Sequence, residues 1–406
     1  MTPSQELQQL LDNGAKRISM SDGVSQFTEP VIVRSGVTFE GVYGNTIIGP
    51  ATPGMELFRL ETREACTFDG ITFHSLGKPN TTGHVAGTHS QSNSQSLFRR
   101  CSFVELQAGI RADCVDGIRV QDCTFLCSHP TGATALEIGN QLEPDVWLGR
   151  IVDTDFLGPW EHGLYDHGHG IMVRGCNFNG PVYQFLFEGW SQVVNVNGTA
   201  VTLVSGPEFQ PNVAGRTVQI EGKFYEIKAY ISGTSLELQK PAAIAGGRMY
   251  AGTTGQLVIE GSQFDSGEFN YTGIYMAGPN TFYGTRISNN RFSNWYKKPE
   301  HHGLLVNMPQ MSESVVVGNN FSSANANVGS WGMRVLDCSS MVVTGNSFTN
   351  YGVSMELNRL LSADACYRVS GNQAISSWGV GIRSTGGCDI DFTGNQLMCK
   401  AEAEVS

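Results

Sequence analysis

No run of about 18 apolar residues occurs in the 406-residue chain, which excludes a membrane-spanning helix. Charge is scarce: Asp, Glu, Lys and Arg make up 16% of the residues, and the acidic ones outnumber the basic ones 37 to 26. The formal net charge of -11 comes with no basic patch, so neither nucleic-acid phosphates nor an anionic membrane surface is an expected partner. The apolar period of an amphipathic helix is also rare. The opening "MTPSQELQQLLDNGAKR" has no basic start followed by an apolar core, so no secretory signal is expected and synthesis in a reducing cytosol is. What is abundant is glycine, 49 residues, among frequent Asn, Ser and Thr. That profile favours short strands joined by tight turns.

The strands repeat. Phenylalanines fall at 73, 103, 125, 156 and 178, then at 264, 292, 321 and 348, with Ala374 and Leu397 in the last two slots. Five residues before each slot stands an apolar residue, from Phe68 and Phe98 to Val369 and Phe392, usually followed by a polar one. This is strand alternation repeated in register, as stacked parallel coils produce it. Two residues before the slot the column reads Cys101, Cys123, Thr154, Cys176, Ser262, then Asn290, Asn319, Asn346, Asn372 and Asn395. Stacked asparagines can bond along the stack and satisfy buried polar groups. The cysteines in the same column read as core filler. A second strand follows each slot with a glycine-aliphatic signature, such as "GIRA", "HGLYD", "HGLLV" and "GMRV". Its inward members include Ile110, Leu136, Leu164, Phe185, Ile274, Leu304, Met333 and Met355, and the residue after each is expected to point outward.

These columns resemble the right-handed parallel β-helix of the pectate-lyase-like superfamily, over roughly residues 30 to 400. The resemblance implies an all-β chain of about 11 to 12 coils with a short N-terminal capping helix, whose apolar face would be Leu7, Leu10 and Leu11. One interval is too long: Phe178 and Phe264 lie 86 residues apart. The excess, with short alternating strands and turns at "NG", "EGK" and "SGTS", reads as a small β-barrel-like module. The expected organisation is a cap over 1–29, β-helix over 30–191, the inserted module over 192–253 and β-helix over 254–406. The insert is similar to β-modules that interrupt β-helices in bacteriophage tail proteins. That resemblance implies a virion protein of the tail-spike type, synthesised in host cytoplasm. Its implied partners are a bacterial surface polysaccharide, other tail proteins and two further copies of itself in a homotrimer.

Outward residues on the glycine strands are the candidates for chemistry. Successive coils present Glu137, then Tyr165, Asp166 and His167, then Glu188 beside Trp190. From rung spacing, carboxylates one coil apart would be ~5 Å apart and two coils apart ~9.5 Å, which approach retaining and inverting glycosidase geometries. Glu137 with Glu188 is the expected catalytic pair for hydrolysis, with Asp166 as the alternative partner. Tyr165, His167, Trp147 and Trp190 are the expected sugar contacts, and Arg111 and Arg334 could hold acidic sugar groups. Trp160, Trp295, Tyr351 and Trp378 share one position per coil and read as a packed turn stack. "EHGLYDHGHG" invites a metal reading, but "EHHGLLV" repeats its frame, so no metal or other cofactor is expected. Fold alone leaves two other functions open: a non-catalytic tail component or adhesin, and a lyase or epimerase of uronate polymers.

Overall fold

The computed structural model describes all residues except 63, 87–92, 95, 113–114, 129–131, 139–146, 167–169, 189–191, 207, 210–212, 216, 222, 252–255, 267–271, 278–283, 295–300, 309–310, 359–365, 386–388 and 406. Its strands stack in parallel as a right-handed solenoid of about 11 turns. One sheet holds 13 strands, running in chain order from Arg17–Ser19 to Asp389–Thr393. A second, 22-stranded sheet contains both the phenylalanine strands, such as Ser102–Val104, and the glycine strands, such as Ala108–Ala112.

Register is kept from rung to rung. Phe68, Phe98 and Val120 lie directly over one another. The nine phenylalanines from Phe73 to Phe348 form one continuous stack, with ring centroids 4.5 to 4.9 Å apart and planes within 10° of parallel. The strand spacing imposes that separation, since each ring hangs from the same point of its coil. The glycine of the second strand has a steric cause. A Cβ on Gly109 would lie 2.5 Å from the Ala135 carbonyl oxygen and 2.8 Å from the Phe125 ring of the next coil.

The asparagine column is a hydrogen-bonded ladder. Asn290 Nδ2 donates to Asn319 Oδ1 at 3.0 Å, and the pattern repeats at 2.9 Å from Asn319 to Asn346, Asn346 to Asn372 and Asn372 to Asn395. Each amide also spans backward, as Asn346 Nδ2 donates to the Val316 carbonyl at 3.0 Å. In the early coils thiols take over part of this work: Cys101 Sγ faces the Phe68 carbonyl at 3.4 Å and Cys123 Sγ the Phe98 carbonyl at 3.5 Å. Burial pushes the Cys176 and Cys338 thiols up to about 12, so they carry almost no thiolate near neutral pH. Cys66, Cys101, Cys123 and Cys127 are buried with them, whereas Cys366 is exposed.

The helix Pro3–Asp12 caps the first coil. Thr2 accepts from the Gln5 backbone while the Gln5 side chain accepts from Thr2, a capping box. Leu7 is buried and Leu11 packs on the core, but Leu10 is 47% exposed and does not share the face expected of it. Gln8 closes the strand edge instead: its Oε1 accepts from Ile32 N at 2.8 Å and its Nε2 donates to Ile32 O at 3.2 Å. A side-chain amide thus stands in for a neighbouring strand.

The long interval holds a four-stranded antiparallel sheet of Gln192–Ser205, Thr217–Ile220, Lys223–Ser232 and Ser235–Ala251. It has its own core around Val194, Val201, Val218, Ile227, Leu236 and Met249. Hairpins close between Ile220 and Lys223 and between Ser232 and Ser235, as the turn residues suggest. Asn197-Gly198 is not a turn. It lies inside the first strand, beside a register shift at Gly198/Ala200. The solenoid closes directly over the insert, pairing Met172 with Val258 and Phe178 with Phe264.

Two outcomes follow from this architecture. Asn346→Ala removes a donor and an acceptor inside a buried ladder and should lower stability by about 2–4 kcal/mol in denaturant unfolding, with Asn346→Thr costing less. Because Gln192 pairs with Met249, the module's two ends lie one strand apart. Replacing residues 192–251 by a short glycine-serine link should therefore leave the solenoid's β-sheet circular dichroism and its unfolding midpoint nearly unchanged.

Candidate functional site

The outward residues of the glycine strands form one unbroken column. Register carries it from Arg111 to Glu137 and Tyr165, then Leu186, Tyr275 and Leu305, then Arg334, Glu356 and Arg383. Charged residues occupy both ends and an aromatic-aliphatic stretch the middle. Arg111 and Glu137 are rung neighbours of opposite charge, the arrangement that favours adjacent strands. Both are half-buried, as are Tyr165 and Tyr275.

A second outward column runs beside it, three residues earlier on each strand. His162 Nδ1 lies 3.2 Å from Thr134 Oγ1, and its ring stacks on Tyr183 at 5.5 Å and 19°. Further along, His302 stacks on Trp331 at 4.8 Å and 9°. The Arg334 guanidinium sits 4.5 Å from the centroid of the same Trp331 ring. These rings use their faces on one another, so they offer little open face outward. Rung spacing thus makes Trp331 a poor platform for a flat sugar face.

A dense polar cluster surrounds Glu356. Its Oε1 accepts from Arg334 Nε at 3.0 Å and from Asn358 Nδ2 at 2.8 Å, and its Oε2 accepts from Trp331 Nε1 at 2.8 Å. Arg383 Nη1 lies 3.8 Å from Oε2. Burial works to raise the Glu356 pKa, but the Asn358 and Trp331 hydrogen bonds and the Arg334 charge outweigh it and hold the carboxyl below its ordinary value. Glu356 is therefore a fixed anion that orients two arginines. It was readable in advance, since it follows inward Met355 and stands one coil past Arg334.

The residues singled out from sequence separate on this frame. Glu137, Tyr165, Arg111 and Arg334 share the outward column. Asp166 does not: it is fully buried, on the inward column between Ile138 and Phe187, so its outward placement is corrected. Strand parity decides this, because Leu164 is inward, Tyr165 outward and Asp166 inward again. Glu188 ends the strand Tyr183–Glu188 and pairs with Ala277, two residues further along than the Glu137 column. Two rungs and two residues put the Glu137 and Glu188 backbones about 12 Å apart, wider than rung spacing alone suggests. Trp147 begins a strand of the 13-stranded sheet and so lies on a different sheet from the column. His167, Trp190 and Trp295 lie outside the described residues, and Trp378 stands within the strand Gln373–Thr385. Trp160 and Tyr351 are fully buried, as a packed turn stack requires. Among the described residues no group of three His, Cys, Asp or Glu side chains could hold a metal ion.

A groove of about 500 Å³ opens at the turn before the early glycine strands, lined by His74, Lys78, Glu105, Gln107 and Ser128 among others. His74 Nδ1 accepts from Leu76 N at 2.8 Å. Burial, opposed by the Glu105 charge, lowers the His74 pKa.

The family model for a right handed beta helix region matches residues 242–397. The chain is a right-handed parallel β-helix. Among solved structures, this β-helix is similar to the catalytic unit of an alpha-1,3-glucanase from Streptomyces thermodiastaticus, at 9% identity over 99% of this chain and 67% of that one, with a TM-score of 0.58. A tailspike protein of E. coli bacteriophage HK620 is similar at 11% identity over 95% of this chain and 67% of that one, with a TM-score of 0.55. The A-module of a mannuronan C-5 epimerase from Azotobacter vinelandii is similar at 12% identity over 100% of this chain and 94% of that one, with a TM-score of 0.51. No curated protein matches the sequence. At these identities the likeness concerns the β-helix itself and not its chemistry.

The Glu356 cluster gives a pH signature. Its folded pKa lies below the ordinary 4.5, so its contribution is complete above that value and is lost as the pH falls through the depressed one. Glu356→Gln should cost about 1–3 kcal/mol at pH 7 in denaturant unfolding. The gap between the two proteins should narrow as the pH falls below 4.5.

Proposed function

We propose that the β-helix binds a bacterial surface polysaccharide along the outward face of its glycine strands, as a tail-spike-like component of a phage virion. One observation carries the binding reading: polar, aromatic and charged side chains stand in register over successive rungs. An extended polymer with a repeating unit can meet such a column at several points. The protein's similarity to a glucanase, a mannuronan epimerase and a tailspike supports a polysaccharide as the ligand. The phage reading rests on the tailspike and on the inserted module. It adds other tail proteins as neighbours and a homotrimer as the working assembly. Tyr165 and Tyr275 supply hydroxyl and edge contacts in the middle of the column, with Arg111 and Arg334 at its flanks.

A second reading, hydrolysis, rests on Glu137, the outward carboxylate one rung from Tyr165 and one from Arg111. The buried Asp166 is not available to it as a partner. Glu188, two rungs away and two residues along, is the partner to test.

The test is a bacterial glycan array followed by titration of the hits. Tyr165→Ala and Tyr275→Ala should each weaken binding roughly tenfold, with unchanged melting curves. Incubation of a hit with the protein, assayed for new reducing ends, separates the two readings. Cleavage without unsaturated-uronate absorbance, abolished by Glu137→Gln with binding retained, establishes hydrolysis, and binding without product makes the chain a receptor-binding module. Absence of any bound glycan would sink the proposal, and light scattering in solution tests the trimer.

A further inference from the structure

Two outward arginines, Arg111 and Arg334, flank the middle of the column, and the structure holds them differently. Arg111 stands directly against Glu137 on the next rung. Arg334 is clamped from the side. Its Nε donates to Glu356 at 3.0 Å, and its guanidinium carbon lies over the Trp331 ring, itself stacked on His302. Glu356 cannot swing away, because Trp331 and Asn358 hold both its oxygens and its side chain is 6% exposed. A guanidinium has five N–H donors, and only the Nε one is used here. The Nη1 and Nη2 edge of Arg334 engages no other acceptor among the described residues, and the side chain is 30% exposed.

We infer that the Nη edge of Arg334 is a subsite for the carboxylate of an acidic sugar, such as a uronate, within the bound polysaccharide. The inference rests on the reading that this face binds a polysaccharide and narrows its substrate class. A guanidinium edge matches a carboxylate with two parallel N–H···O bonds, a geometry that a lysine or a neutral donor does not supply. The clamp matters as much as the charge. An arginine already fixed at Nε and against a ring loses little side-chain freedom when it binds.

Local charge agrees. Arg334 and Arg383 share the Glu356 carboxylate, while register places Glu404 beyond Arg383 on the following rung. Register thus gives Arg383 a second acidic residue as rung neighbour, and Arg334 keeps its Nη edge for another acceptor. The net charge of -11 opposes a polyanion at long range. At physiological salt that field is screened beyond ~8 Å, so the contact geometry decides. Leu305 and Tyr275, the preceding members of the column, continue the face toward the middle of the chain's binding strip.

The experiment uses the full chain and an array of neutral and carboxylated bacterial glycans, with each carboxylated hit also tested after chemical reduction of its carboxyl groups. The strongest hits should carry carboxylates, and carboxyl reduction should weaken them about ten- to a hundredfold. Arg334→Gln should cause a similar loss on the intact glycan and little further loss on the reduced one. Arg334→Lys, which keeps the charge without the fork, should fall between. This second variant also serves if Arg334→Gln fails to fold, as judged by its melting curve. Binding confined to neutral glycans would overturn the inference while leaving the binding reading intact. So would an Arg334→Gln loss that is equal on intact and reduced glycans. Absence of binding to every glycan would remove the binding reading itself, and the subsite with it.

Discussion

Parallel pairing at one rung per coil is the constraint on which everything else in this molecule depends. Once each coil must lie ~4.8 Å from the next, every position becomes a column, and a residue is judged by what stands above and below it. The phenylalanine stack and the asparagine ladder are two solutions to that demand, one apolar and one polar. Early coils solve the polar case differently, with thiols, a threonine and a serine. Thr154 and Ser262 can accept from the backbone of the preceding coil, as Cys123 N to Thr154 Oγ1 at 3.5 Å and Cys176 N to Ser262 Oγ at 3.2 Å show. A thiol donates weakly and accepts weakly, so the ladder is more fully bonded toward the C-terminal coils than toward the N-terminal ones.

The same constraint governs the outside. Aromatic residues in register on an outward column stack on one another before they can stack on anything else. His162 with Tyr183, and His302 with Trp331, have spent part of their ring faces in this way. Charged residues in register must alternate in sign or repel, and Arg334, Glu356 and Arg383 do alternate. A ligand laid along this face therefore meets ring edges, hydroxyls and guanidinium groups, which select by hydrogen bonding and charge.

Much of this was legible in the sequence because columns are periodic. The phenylalanine slots, the asparagine run and the glycine-aliphatic strands could all be aligned without a structure, and alignment placed Glu137, Tyr165, Arg111 and Arg334 on one face. The failures came where composition was trusted over parity. Asp166 looks like a surface residue by type, yet it directly follows outward Tyr165 and must turn inward. Glu188 stands three residues after inward Phe185, whereas Glu137 stands one after inward Leu136, so their offset was countable. Glu356 was missed although its place follows from the same count. What no count could show is the sandwiching of Trp331 or the clamp on Arg334, because those depend on side chains from three different coils meeting.

The closure of the phenylalanine stack over the insert has a consequence for how the chain reaches this structure. Phe178 and Phe264 are 86 residues apart in sequence and 4.9 Å apart as rings. Were the intervening segment a flexible loop, joining its ends would cost only about 1 kcal/mol more than closing an ordinary coil of about 25 residues, since the entropy grows with the logarithm of length. The described part of the segment is folded on its own core, and pairing of its terminal strands, as Gln192 with Met249, holds the two ends close. A module that folds before the next coil docks is kinetically short to the growing solenoid, and a search that sequence distance makes long becomes nearly local.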